Sequence, residues 1–152
     1  MNWDFLFGMT NGIAMAGWLM LALLPRGPKV QSVLLYGCVS ILCLAYTALF
    51  VGLFGGLVDP VRVAGAGQGS FTSIQGIRAL FMSDGGIVIG WTHYLAFDLF
   101  VGLWIAKDAD NKGFSRWVQI PVLFVTLMAG PIGLLLWLIV RESRARAMAR
   151  GG

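Results

Sequence analysis

Apolar residues gather in four long runs along the chain, at about Phe5–Leu24, Ser32–Phe54, Gly86–Ala106 and Trp117–Val140. Each is close to the ~20 residues that a helix needs to cross a hydrocarbon core of roughly 30 Å, and none holds an internal Lys or Arg. The connections 25–31 and 107–113 are short and polar or Pro/Gly-rich, which makes the helices they join antiparallel neighbours. The connection 55–85 is far longer and contains the Gly-rich run Gly65-Ala-Gly-Gln-Gly-Ser. Beyond that run, Phe71, Ile74, Ile77, Arg78 and Phe81 recur every three or four residues, the period of an amphipathic helix. That helix is too short to span, so it is expected at the membrane interface or as a lid over the bundle mouth. The pattern predicts an all-α integral membrane protein: a four-helix bundle with a short interfacial helix between helices two and three. It is expected to form a single transmembrane domain over 1–152 with a basic tail from 141.

Composition agrees with lipid as the solvent. Apolar residues make up 58% of the chain and charged ones only 12%, about half the usual share, too few to cover a soluble globule of 152 residues. Mean hydropathy is +0.80. The first run is not expected to be a cleaved signal, because Asp4 and no basic residue precedes it and no small-residue cleavage site follows. Cys38 and Cys43 lie on different faces of the second run, where inert packing is the expectation. The net charge of +4 comes largely from Arg141, Arg144, Arg146 and Arg150, which suit a cytoplasmic flank or anionic headgroups rather than nucleic acid. With four spans, this tail shares its side with the N-terminus and with Arg62 and Arg78. That gives six basic residues against five on the other side, and an N-in/C-in orientation.

The third run carries the polar residues of interest. Counted from its midpoint, Asp98 lies about 3 Å and His93 about 4.5 Å from the membrane centre. A carboxylate there costs about 2.5–3.5 kcal/mol on insertion scales and is expected to face protein. Asp98 falls on the ridge Gly86, Gly90, Tyr94, Asp98, Gly102, Ala106, with Trp91 near the same azimuth. His93 is about 140° away, beside Phe97, Phe100 and Trp104. Asp98 therefore reads either as a proton-handling or ligand group or as a staple to another helix. His93 reads either as a buried hydrogen-bonding residue or as an acid, base or pigment ligand. One His, one Glu and two intramembrane Cys are too few for a multi-histidine zinc or di-iron site, so no metal is expected.

Three further features bear on a site. Arg78 interrupts an apolar face, so it either snorkels to headgroups or points inward as a cation. Asp84 precedes the third helix as a candidate cap, and is kept as a candidate ligand-binding residue. Gly130-Pro131-Ile-Gly133 is expected to kink the fourth helix, leaving a carbonyl near Leu127 for Thr126 or a neighbour to satisfy.

These residues carry a resemblance. The stretches Phe71-x-Ser-x-x-Gly-Ile-x-x-Leu-Phe, Trp91-x-His-Tyr-Leu-Ala-Phe-Asp-Leu-Phe-Val-Gly-x-Trp-Ile-x-x-Asp-Ala and Pro121-x-Leu-x-x-Thr-x-x-x-Gly-Pro-x-Gly-Leu-Leu resemble the neoxanthin-synthase-like family. These are small membrane proteins known from abscisic-acid-deficient plants and also found in bacteria. The resemblance implies a role in carotenoid metabolism and, if enzymatic, an acid/base isomerisation of a xanthophyll epoxide to an allene without a redox cofactor. It would make Asp98 and His93 the catalytic pair, with Tyr94 and Arg78 orienting. Trp91, Phe97, Phe100 and Trp104 would line the ligand. The chain opens almost at its first span without a plastid transit segment, so a bacterial inner or photosynthetic intracytoplasmic membrane is expected. The rival reading is a non-catalytic subunit that binds a carotenoid, other pigment or lipid within a larger membrane complex, photosynthetic or otherwise, or a homo-oligomer. A proton path through Asp98 is the third, and a lone carboxylate makes a poor relay.

Overall fold

The structure is a computed structural model that describes residues 1–65, 67 and 69–150, without the side chains of 143, 145 and 147–150. Ala66 and Gln68 of the Gly-rich run and the side chain of Arg150 therefore lie outside the described residues. The protein is all-α, and among the described residues its extended pairing is limited to an isolated bridge between Arg62 and Ser83. Among the described residues, three helices are long and apolar enough to cross a membrane. The first, α1, spans Trp3–Leu23 and is capped by Asn2, whose Oδ1 accepts from the amide of Phe5 at 2.9 Å. The second, α2, is continuous over Pro28–Phe54, starts with Pro in its first turn, and widens to π-helical turns over Val33–Val39. The third, here α4, spans Asp84–Asn111, about 42 Å of helix.

The amphipathic segment expected around 71–81 is α3, Ile74–Phe81, capped by Ser73 through its Oγ and the amide of Gly76 at 3.0 Å. At the start of α4 the cap is Ser83, which accepts from Gly86 at 3.1 Å, while Asp84 lies exposed in the first turn. The expected capping role of Asp84 thus passes to its neighbour.

The largest departure lies in the fourth apolar run. The stretch 117–140 is not one span but parts of two helices, α5 (Arg116–Met128) and α6 (Gly130–Arg150), interrupted at Ala129 with φ −157° and ψ 81°. Pro131 consequently falls in the first turn of a new helix, where no intrahelical amide bond is missing, rather than at a kink within one helix. The proline inside a helix is Pro121.

Two compact units share the three long helices. The first comprises Met1–Ala14 and Ser40–Ala96. Trp3, Leu49, Val88 and Ile89 form its core, and the Trp3 indole donates to the Asp59 carbonyl. Its long connection is tied back by amides of Asp84 and Gly85 to the carbonyls of Val61 and Pro60, and of Val63 to that of Met82. Val61 pays for this path with a φ of +52°, a left-handed conformation that a β-branched residue resists.

The second unit comprises Met15–Val39 and the chain from Phe97 onward. Leu21, Leu34, Leu99, Ile105 and Trp137 are fully buried in it. Glycines let its helices close: Gly17 meets the Leu99 side chain and Gly102 the Trp18 ring. One end is laced by polar bonds. Arg26, its side chain 2% exposed, pairs with Asp110 at 3.2 Å and donates to Gln119 and the Leu21 carbonyl. Burial draws the Arg26 pKa below its ordinary value, with the charge of Asp110 opposing and that of Arg116 adding. Asp108 accepts from Lys112, Trp137 and Arg141, and Arg144 donates to the carbonyls of Lys112 and Gly113. Arg141 and Arg144 therefore lie with the 107–113 connection.

Candidate functional site

In the first unit, two helical periodicities converge on one groove. On α2, Tyr46, Phe50 and Phe54 stand four residues apart and so share a face. On α4, Gly86, Ile89/Gly90 and His93 do the same. The long connection supplies Phe71, and α3 supplies Leu80 and Phe81. Together with Leu53 these enclose about 320 Å³, within the usual range for a small-molecule site. Rings pack along its length: Tyr46 on Phe50 at 5.7 Å, Phe50 on Phe54 at 4.5 Å, and Phe71 on Phe54 at 5.6 Å. Gly86 and Gly90 are needed for this closure, since a Cβ at either would collide with the Leu80 carbonyl or the Phe81 ring.

Among the described residues, His93 and Tyr46 are the polar side chains on the lining, with ring centroids 5.4 Å apart. His93 is exposed in the chain rather than buried. The groove offers an apolar, ring-lined surface with an imidazole and a phenol at one side. Such a surface can stack on a flat or cyclic hydrocarbon and exchange a proton with it.

The other expected site residues are distributed differently. Tyr94 stacks on Trp91 at 5.2 Å, and both border an apolar groove of about 450 Å³ with Phe7 and Ile87. Trp91 also donates to Asn11 at 3.1 Å. Arg78 is exposed and lines a separate surface pocket with Ser70, Ser73 and Gln75, away from the residues that surround His93. Phe97 and Phe100 are 55% and 47% exposed on the second unit, and Trp104 carries the Arg141 guanidinium over its ring at 5.6 Å.

His93 belongs to the first unit, whereas Asp98 belongs to the second, where it is buried. There its carboxylate presses on Gly130, the first residue of α6: a Cβ on that glycine would collide with Oδ1 and lie 2.5 Å from Cγ. This is the amide-rich end of a helix, where a carboxylate is favoured. Asp98 thus packs against the first residue of α6 within its unit. The groove residues missed in the sequence were Tyr46, Phe50, Phe54, Phe71 and Phe81; the first three were announced by the four-residue aromatic spacing on α2, and the last two by the apolar period of the segment 71–81. Among the described residues no three His, Cys, Asp or Glu side chains gather.

No curated protein and no solved structure matches the chain. A family profile described as ABA DEFICIENT 4-like matches residues 5–137. Its membrane helices and that match, across most of its length, establish the protein as a carotenoid-related membrane protein belonging to the ABA DEFICIENT 4-like family.

Proposed function

We propose that the aromatic groove of the first unit takes up the ring end of a carotenoid or related isoprenoid, and that His93 moves a proton on it. One observation carries this reading: a groove walled by packed Phe side chains whose polar lining, among the described residues, is His93 and Tyr46. Family membership supports the substrate class. For a xanthophyll epoxide the step balances within the substrate. A proton is delivered to the epoxide oxygen as its C–O bond breaks, and another is removed from the adjacent polyene carbon, leaving a hydroxyl and an allene with no net change in electrons. His93 and Tyr46 are the donor and acceptor pair for these transfers, and Asp98 serves the fold instead.

The exposure of His93 favours a second reading, in which the groove holds a pigment without transforming it. Both readings are separated by incubating purified protein in mild detergent with an epoxy-xanthophyll and resolving the pigments by chromatography. Isomer formation by the wild type, lost in His93→Gln while pigment stays bound, supports catalysis. Bound but unchanged pigment in both supports the holding role, and the absence of any pigment binding would defeat both.

A further inference from the structure

We propose that α5 and α6 form a re-entrant hairpin, entering and leaving the membrane on one face, so that the chain has three spans with its C-terminal helix in the cytoplasm and Met1 outside. The lengths come first. α5 has 13 residues, about 20 Å of helix, short of the roughly 30 Å of a hydrocarbon core.

The contacts of both helices then fix their direction. α5 begins where Arg116 donates to the carbonyls of Ala22 and Leu24 and where Gln119 donates to Asp110. α6 begins at Gly130 against Asp98, reaches Asp108 by Trp137 and Arg141, and reaches Lys112 by Arg144. It thus runs alongside the second half of α4 in the same direction. Both outer ends of the pair lie at the Asp108–Gly113 end of α4, and a span would have carried Arg144 to the opposite face.

The tip of the hairpin is built for lipid depth, where every backbone group needs a partner. The Ala129 amide donates to Val125 at 2.8 Å, and the Ala129 carbonyl accepts from Ile132 and Gly133. Gly133 packs on Thr126 with room only for hydrogen. Asp98 sits at the first residue of α6.

The hairpin changes the charge balance across the membrane. The turn after α1 carries Arg26 and Lys29, the segment 107–116 carries three basic residues, and the C-terminal helix carries four. All nine now share one face, leaving only Arg62 and Arg78 for the other. A bias of this size assigns the nine to the cytoplasm. The 55–83 connection, with Phe71 and Phe81 of the aromatic groove, then lies on the outer side.

The test is labelling with a membrane-impermeant maleimide in spheroplasts, using Thr72→Cys, Ser115→Cys and Arg146→Cys in a Cys38→Ala/Cys43→Ser background. Thr72→Cys is expected to label from outside, and the other two only after permeabilisation. Thr72→Cys and Arg146→Cys labelling together, apart from Ser115→Cys, would overturn the hairpin. Ser115→Cys and Arg146→Cys labelling from outside would overturn the orientation. Trypsin on the unaltered protein gives the same reading should the cysteine-free background fail to fold. Cuts confined to Arg62 and Arg78 in spheroplasts, with tail cuts only in inverted vesicles, agree with the proposal. Tail cuts accompanying those at Arg62 and Arg78 contradict it.

Discussion

Replacing Gly130 with Ala adds one methyl group where the structure has no room for it. The new Cβ would collide with Oδ1 of Asp98 and stand 2.5 Å from Cγ, closer than real Cβ atoms approach, and 3.0 Å from Oδ2, tighter than most do. Asp98 is itself buried and has a short side chain, so it has little freedom to withdraw. Overpacking of this kind costs about 1–3 kcal/mol, against which the better helix propensity of Ala returns up to ~1 kcal/mol. The net expectation is a destabilisation of about 1–2 kcal/mol, or roughly a five- to thirtyfold fall in the folded-to-unfolded ratio. Gly8 and Gly12 provide the internal control: they lie within α1 with nothing within 4 Å of an added Cβ, so Ala there should leave stability unchanged or raise it by up to ~1 kcal/mol. Reversible unfolding in mixed micelles, followed by tryptophan fluorescence, measures all three. In a double-mutant cycle, Asp98→Ala should relieve part of the Gly130→Ala penalty because the colliding carboxylate is gone. Equal stability of Gly130→Ala and Gly8→Ala, or strict additivity with Asp98→Ala, would refute the packing of Asp98 on the tip of the hairpin.

Three other outcomes follow from the same structure. Phe50→Ala should weaken carotenoid binding about tenfold, roughly 1.4 kcal/mol, in an absorbance titration, whereas Phe97→Ala, on an exposed position of the second unit, should not. Asp108→Asn removes the carboxylate that Lys112, Trp137 and Arg141 share at 15% side-chain exposure, and should lower stability by about 2 kcal/mol; Glu142→Gln, whose pair with Arg146 is exposed, should change a thermal melt negligibly. Ser83→Ala should cost ~1 kcal/mol in the same melt through the lost cap of α4, and more than Asp84→Ala does.

Hydrophobic length and period were enough to read α1, α2, α3 and α4 from the sequence, because a membrane helix announces itself by the absence of charge over some twenty residues. The same rule misread 117–140. Two half-length apolar helices joined by Ala129-Gly130-Pro131 sum to the length of a span, and only the contacts of Trp137, Arg141 and Arg144 reveal that the chain turns back. Small-residue spacing was equally ambiguous. Gly86 and Gly90 admit Leu80 and Phe81, whereas Gly8 and Gly12, with the same spacing, meet nothing. At the site, His93 was visible as the one histidine, but its surroundings come from three segments distant in sequence. Asp98 was read as protein-facing from its place on the small-residue ridge, and its partner Gly130 has no side chain to announce itself in a pattern search.

The central claim is that the groove of Tyr46, Phe50, Phe71 and His93 holds a carotenoid-type ligand. Its most direct measurement is the absorption spectrum of the protein purified in mild detergent from carotenoid-containing membranes, beside a Phe50→Ala/Phe71→Ala variant of equal stability. The account predicts stoichiometric carotenoid with a shifted spectrum in the wild type and its loss from the variant. A colourless wild type, or a variant that retains pigment equally, would contradict it.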